Sequence, residues 1–524
     1  MPMTLAQRIA IQWIVLGALV WGLWRVANDP SARAVPQRRV HEDGREVVTL
    51  WMGTIMGRWD ELAMREAIRR FNDTHREIFI DAKLMPATVY GSKVNLAVAS
   101  GRPPDVVYNA DELVQSNRQR SDVSELVAPI PESMISAETR AAWGPAILRA
   151  IRVEGKIVRF PDSAFLNGML LRGNLDYFRE AGVDIEQYLE HGWDYETFTR
   201  EMTKVQEAAR RTTGREVYAF GLNLANAHRL LYTTLLPPII GAEARARSFL
   251  EYDERSGRYR VDPAITVDAL AAPLRFMQDL IHKDGLWGRK YLGMDFGQIG
   301  VEMFNRLDLV SILADTPGYS IYSQLYAEEE IRRGVRERPF HATNIPAPTP
   351  RAGMAPVFSA GANGWGVMRR IPPLSDAHTR AALEVARYVA SPEVQALVFR
   401  MSKVRIHLWP DDAAVAALVT DVEDPIAADA WLSYLWGLYK DWMKNAATYH
   451  ADAGDWPDPA TRKDLLIRMG PDAPASYLTA GMGKQILEAV LFNQKAPEEA
   501  ARELLAGMQR EIDEYYARNA PGAR

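Results

Sequence analysis

Between residues 47 and 108 the sequence alternates between short apolar runs and amphipathic stretches, and this alternation restricts the fold more than any other feature. "VVTLWM" (47–52) reads as a strand buried on both faces, and "RWDELAMREAIRRFNDTH" (58–75) carries Leu62, Ile68 and Phe71 at helical spacing. "IFIDAKL" (78–84) is a second strand, "YGSKVNLAVAS" (90–100) a second helix and "DVVY" (105–108) a third strand. Strand and helix in strict succession predict a parallel sheet covered by helices, the α/β class. Gly101 offers a left-handed cap to the second helix, and Pro103-Pro104 prevents its continuation. In open α/β sheets, ligands sit in the crevice beyond the carboxyl ends of the strands. Trp51, Tyr90, Asn109 and Asp111 fall at or near such ends, although Asp111 would serve equally as the cap of a helix starting near Glu112.

The pattern continues downstream. "GKIVRFP" (155–161) reads as a strand crossing between lobes and "LNGMLLR" (166–172) as a buried strand. Asn174 is placed to cap "LDYFREAG", Asp194 to cap the helix of 192–214, and Gly182 and Gly214 to end the two. "YAFGLNL" (218–224) and "DLVSILAD" (308–315) are further strands, 267–286 and 378–401 further helices, and 410–524 reads as almost entirely helical.

"IAIQWIVLGALVWGLW" (9–24) is apolar apart from Gln12. At 1.5 Å per residue it spans roughly 24 Å, slightly short of a hydrocarbon core of about 30 Å. Ala32-Arg33-Ala34 resembles a signal-cleavage site but lies far beyond the apolar run, which favours an uncleaved anchor. Arg25, Arg33, Arg38 and Arg39 follow the segment while only Arg8 precedes it, a count that would keep the following chain inside. Long domains translocate largely regardless of such counts. "AVPQRRVHEDGRE" (34–46) is the linker to the folded part.

With 524 residues, two to three lobes are expected. A net charge of −5 provides no basic footprint and argues against nucleic acid as a partner. The absence of cysteine excludes disulfides, thiolate zinc sites and a lipid-bearing cysteine, while 14 Trp and 20 Tyr suit a protein that stacks on ligands.

The order of these segments resembles the extracytoplasmic solute-binding proteins of ABC importers, in the carbohydrate-binding, maltose-binding-type group. The stretches carrying the resemblance are "VTLWM", "LAVASGRPPDVV", "GKIVRFP", "LLRGNLDYFREAGVD", "GWDYETFTREMTKVQ", "FGQIGVEMFNRLDLVSILAD" and "GKQILEAVLFNQKAPEEAARELLAGMQREI". No single one is specific; their order over about 45–410, with the tail, is. The resemblance implies a two-lobed periplasmic-binding-protein fold, type II-like, with the ligand enclosed between lobes. One lobe would take 45–157 with 308–360 and the other 158–307 with 361–410, with crossings near 157–161 and 358–363, leaving 1–44 as anchor and linker and 411–524 as a helical tail.

It further implies binding of a sugar, with aromatic rings covering pyranose C–H faces and polar groups bonding hydroxyls. The cleft candidates are Trp51, Trp59, Tyr90, Asn109, Asp111, Asp162, Phe165, Asn223, Asp315, Tyr319, Asn363 and Trp365. Trp59 opens an amphipathic helix and fits a core role equally well; Trp365, at a strand end, is expected to face the opposite lobe. Asp162 follows Pro161, where it would also suit a turn, and Asp315 ends a strand before Pro317-Gly318-Tyr319. Arg58, Arg405 and His407 near the cleft would favour acidic sugars. The implied partners are a carbohydrate, the permease subunits and, through 9–24, the cytoplasmic membrane on its outer side.

Enzymatic readings find less support. Neither G-x-S-x-G nor H-E-x-x-H occurs, and "LTAGMGKQ" fails as a phosphate loop at Leu478 and Gln485. "HADAGD" (450–455) lacks the glycine and distal glutamate of a calcium loop, so no metal or cofactor is expected. A glycosidase needs only two carboxylates about 5–9 Å apart, and a membrane-tethered sugar sensor needs only the binding site.

Overall fold

The computed structural model describes residues 39–519 apart from several internal stretches, the longer being 111–125, 315–326, 403–411 and 420–481. Asp111, Asp315, Tyr319, Arg405, His407 and the apolar segment 9–24 lie outside the described residues, as do 450–455.

The opening alternation folds as its periodicity predicts: β1 (Glu46–Thr54), α1 (Arg58–Thr74), β2 (Ile78–Pro86), α2 (Ala87–Ala99) and β3 (Val106–Tyr108). β1 pairs in parallel with both β2 and β3. The buried face of α1 is Ala63, Met64, Ala67, Ile68 and Phe71, whereas Leu62 is exposed, one position off the stripe. Helix α3 (Ala137–Ala150) and a two-strand turn, β4 (Arg152–Val153) with β5 (Lys156–Ile157), lead to β6 (Phe160–Asn167).

A second sheet begins at β7 (Leu170–Asn174). Asn174 caps α4 (Leu175–Glu180) by accepting from Asp176 N; Asp194 caps α5 (Tyr195–Thr213) by accepting from Thr197 N, and left-handed Gly214 ends it. β8 (Tyr218–Gly221), α6 (Leu224–Arg229), the hairpin β9 (Leu250–Asp253) and β10 (Arg258–Val261), and α7 (Val267–His282) follow. β11 (Leu309–Ala314) and β12 (Ala342–Pro346) complete this sheet in the order β12-β7-β11-β8.

β13 (Ser359–Val367) then returns to the first sheet, running antiparallel between β3 and β6. The first sheet is therefore β2-β1-β3-β13-β6. Two main cores result, beside two smaller clusters: one main core joins residues 48–160 to 362–394, the other 171–345 to 486–515.

This arrangement corrects the expected boundaries. β11 and β12 belong to the second sheet, not with 45–157, and β13 with α8 (Asp376–Val389) belongs to the first. The reason is the return strand: it fills the slot between β3 and β6, so both strands read as crossings remain paired in the first sheet. The chain leaves this sheet after Asn167 and returns between Pro346 and Ser359. The expected helix over 378–401 is two, α8 and α9 (Pro392–Ser402), with Pro392 opening the second.

The tail is not a separate region either. Its last helices, α10 (Met482–Leu491) and α11 (Pro497–Arg518), bury Leu487, Val490, Leu504, Met508 and Ile512 in the second core. Side chains stitch them down: Gln278 donates to the Val490 carbonyl (3.0 Å), Tyr259 N donates to Tyr516 OH (2.8 Å), and Val261 N to Gln509 Oε1 (3.1 Å).

Candidate functional site

The carboxyl ends of β1 and β3 lie together, with Trp51 opposite Val107 in the ladder. Because β13 is antiparallel to β3 and to β6, β6 runs parallel to β1–β3. Trp365 is level with Tyr108, the last residue of β3, and beyond that level β6 and β13 continue as a two-stranded ribbon through Asn363–Ser163 to Ser359–Asn167. The ribbon carries the chain toward the second sheet. At its root the ladder shifts register between Asn363 and Gly364.

Six of the expected site residues, Trp51, Tyr90, Asn109, Asp162, Asn363 and Trp365, converge on this end of the first sheet, largely to satisfy one another. Asn109 adopts a left-handed conformation (φ 51°), which asparagine tolerates. Its N donates to Gly364 O (2.8 Å); its Oδ1 accepts from Gly364 N (3.0 Å) and Arg159 Nη1 (3.1 Å); its Nδ2 donates to Asn363 Oδ1 (2.8 Å). Asn109 is a clamp around the register shift. Tyr90 OH accepts from Tyr108 N (2.9 Å) and shares its proton between the Tyr108 and Trp51 carbonyls, while its ring covers Gly53. Burial pushes the Tyr90 phenol above its usual range.

Trp365 corrects the expectation of a ring facing the opposite lobe. It is 0% exposed, packs edge-on against Tyr108 and sits in the first core. The flanking glycines explain the "NGWG" sequence as packing. A Cβ on Gly364 would lie inside the shell of the Phe160 carbonyl oxygen, and one on Gly366 would lie 2.7 Å from Ala110 Cβ.

Asp162 has a different character. Its Oδ2 accepts from Trp365 Nε1 (2.9 Å), and its Oδ1 accepts from Ser163 Oγ (2.9 Å) and Tyr108 OH (3.3 Å). Withdrawal from solvent pushes its carboxyl up to about 6, against the opposing pull of these three donors. The carboxyl thus ties together β3, β6 and β13 at the root of the ribbon. Trp51 is partly exposed, with Lys83 Nζ 5.0 Å above its ring, a cation–π pair at the same edge. Trp59 lies in α1 and Phe165 in β6, opposite Gly361; their side chains are outside the described residues. Asn223 is in the second sheet's half, buried, and caps α6 by accepting from Asn226 N (3.1 Å).

At the opposite end of the first sheet is a buried charge cluster that the sequence does not reveal. His378 Nδ1 lies 2.7 Å from Glu46 Oε1 and its Nε2 lies 3.1 Å from Asp105 Oδ1. Arg370 Nη2 reaches the same Oδ1 (2.9 Å), and Thr49 donates twice to Asp105 Oδ2. Burial opposes charge at both centres, but the partners win: His378 is raised above its usual value by Asp105 and Glu46, and Asp105 is held low by His378 and Arg370. The cluster borders a cavity of about 340 Å³ also lined by Met368, Arg369 and Thr379. Among the described residues, no group of three or more His, Asp or Glu side chains is arranged to hold a metal ion.

Two α/β sheets with separate cores, joined through an antiparallel ribbon, define the fold of two-lobed solute-binding proteins. Solved structures similar to this chain include the MalE maltose/maltodextrin-binding domain of Bdellovibrio bacteriovorus bound to maltotriose, at 15% identity and TM-score 0.57, over 89% of this chain and 100% of that one. The GacH receptor of Streptomyces glaucescens GLA.O, solved unliganded and with acarbose, matches at 14% identity and TM-score 0.57, over 90% and 99% of the two chains. An ABC transporter solute-binding protein of Thermotoga lettingae TMO bound to alpha-D-tagatose matches at 15% identity and TM-score 0.58, over 89% and 99%. No protein-family model matches the sequence, and no curated protein matches it.

Proposed function

We propose that this chain is the substrate-binding component of an ABC importer, which captures a mono- or oligosaccharide by closing its two lobes and delivers it to a membrane permease. The observation carrying this reading is the likeness in fold, over about nine-tenths of the chain, to proteins solved with maltotriose, acarbose and tagatose. Asp162, at the root of the ribbon, and Trp51, near the carboxyl end of β1 with β3 between it and the ribbon's β13, offer the two chemistries a sugar needs: a hydroxyl acceptor and an aromatic face. Closure is a population shift, driven only by ligand contacts that exist in the closed state. The function is binding without bond cleavage.

The protein acts outside the cytoplasm, tethered by residues 9–24. Among the described residues no helix is long and apolar enough to cross a membrane; the support for the tether is the apolar run of 9–24 itself. A thermal-shift screen of the full chain against mono- and oligosaccharides, uronates included, tests the reading. A ligand at about 100 times its dissociation constant adds roughly 2.7 kcal/mol of stability. A selective shift with the sugar recovered intact supports a binding protein; a hydrolysed hit would replace it with a glycosidase, and no shift across the panel would remove the sugar.

A further inference from the structure

His378 holds the first turn of α8 against two strands at once. Its Nδ1 lies 2.7 Å from Glu46 Oε1, at the start of β1, and its Nε2 lies 3.1 Å from Asp105 Oδ1, at the entry to β3. A carboxylate only accepts, so both ring nitrogens have to present an N–H. The imidazolium does so; the neutral ring turns a lone pair onto one of the two carboxylates. The two charge states are therefore unequal, and the contact geometry sets the sign. His378, Glu46 and Asp105 are 6%, 8% and 2% exposed, so solvent screens the mismatch little. The other charged groups around the ring are Arg369 and Arg370, just past β13, and Asp376 on α8 itself; Arg370 is already on Asp105 (2.9 Å). The Ser375 cap accepts from His378 N (3.0 Å) but belongs to the same helix, so it does not tie the turn to the sheet. Further along, Ala381, Ala382, Val385, Ala386 and Val389 bury α8 in the first core. The cavity of about 340 Å³ borders the first turn, with Leu374, Thr379 and Ala382 in its wall beside His378.

We propose that His378 is a proton-dependent staple: charged, it pins the first turn of α8 to β1 and β3; neutral, it lets that turn leave the strands and widen the cavity while the rest of the helix stays packed. Burial works against the charge, yet Asp105 and Glu46 outweigh it and raise the ring above its usual value, in agreement with the geometry. The staple is therefore closed through the ordinary imidazole range and opens as pH rises through the raised value. The opening is local, at the end of the first sheet opposite the candidate site, and it is independent of the sugar reading.

Hydrogen exchange of the full chain, read by mass spectrometry and corrected for the intrinsic acceleration by hydroxide, tests this. Between about pH 7 and pH 9 the peptide spanning 376–381 should lose about tenfold of its protection, and the peptide spanning 383–389 should keep its own. H378Q, which cannot carry the charge, should show the low protection at neutral pH already. E46Q separates charge from folding: its amide can donate to Nδ1, so a neutral ring is satisfied, and protection of 376–381 should persist to the higher pH. Unchanged protection of 376–381 in the wild type, or an E46Q profile that falls as the wild type's does, would overturn the proposal. Loss of protection along all of α8 together would overturn it as well, because that is unfolding of the lobe and not release of a staple.

Discussion

Replacing Gly364 by alanine tests whether the ribbon root is built as described. The added Cβ would press into the Phe160 carbonyl, with the carbonyl carbon at 2.8 Å and Pro161 Cα at 2.9 Å. All of these are backbone atoms of the paired strand, so no side chain can swing aside. β13 has to move by roughly 1 Å to restore ordinary contact distances. That shift breaks two bonds to Asn109, from Asn109 N to Gly364 O (2.8 Å) and from Gly364 N to Asn109 Oδ1 (3.0 Å). At about 1 kcal/mol per bond, plus about 1–3 kcal/mol of overpacking strain, G364A should destabilise the protein by about 3–5 kcal/mol. Gly101 is the control: its φ is +72°, but a Cβ there meets nothing within 4 Å. G101A should therefore cost only about 1 kcal/mol of backbone strain. Urea unfolding followed by circular dichroism reads both, with two transitions resolvable if the two cores unfold separately. A cost for G364A no greater than that for G101A would refute the steric argument and the register given for β13.

Other consequences can be checked as directly. The His378 cluster contributes most between the ordinary carboxylate and imidazole values. The His378 part is complete below about 6.5 and is lost as pH rises through its raised value, while the Asp105 part is complete above about 3.8 and is lost as pH falls through its lowered one. H378Q should flatten that profile and cost about 3–5 kcal/mol near neutrality, since it removes the cation that lies between two buried carboxylates; urea midpoints from pH 4 to 9 check this. L504A, in the second core, should cost about 2–5 kcal/mol, whereas a detachable tail would leave the melt unchanged.

The parts of the fold legible in the sequence are those with local causes. The period of the apolar residues places β1 through β3, and the caps at Asn174, Asp194 and Gly214 are short-range hydrogen bonds written into neighbouring positions. The lobe boundaries were not legible, because β13 inserts between strands about 200 and 250 residues earlier in the chain, and no local pattern encodes that pairing. The candidate site illustrates the same limit. Asn109, Asn363 and Trp365 look available for a ligand when seen as strand-end residues, yet each is engaged by a partner remote in sequence: Asn109 with Asn363, and Trp365 with Asp162. The sequence shows that a polar group stands at a strand end, but not whether the fold has already satisfied it. Likewise, nothing near Glu46 signals that its partner is His378.

Small-angle X-ray scattering of the full chain, with and without a saturating sugar from the thermal-shift screen, tests the central claim most directly. A two-lobed protein that captures its ligand by closure predicts a smaller radius of gyration with sugar than without, and an unchanged curve with a sugar it does not bind. Superimposable curves at saturation with a bound sugar would contradict capture by lobe closure.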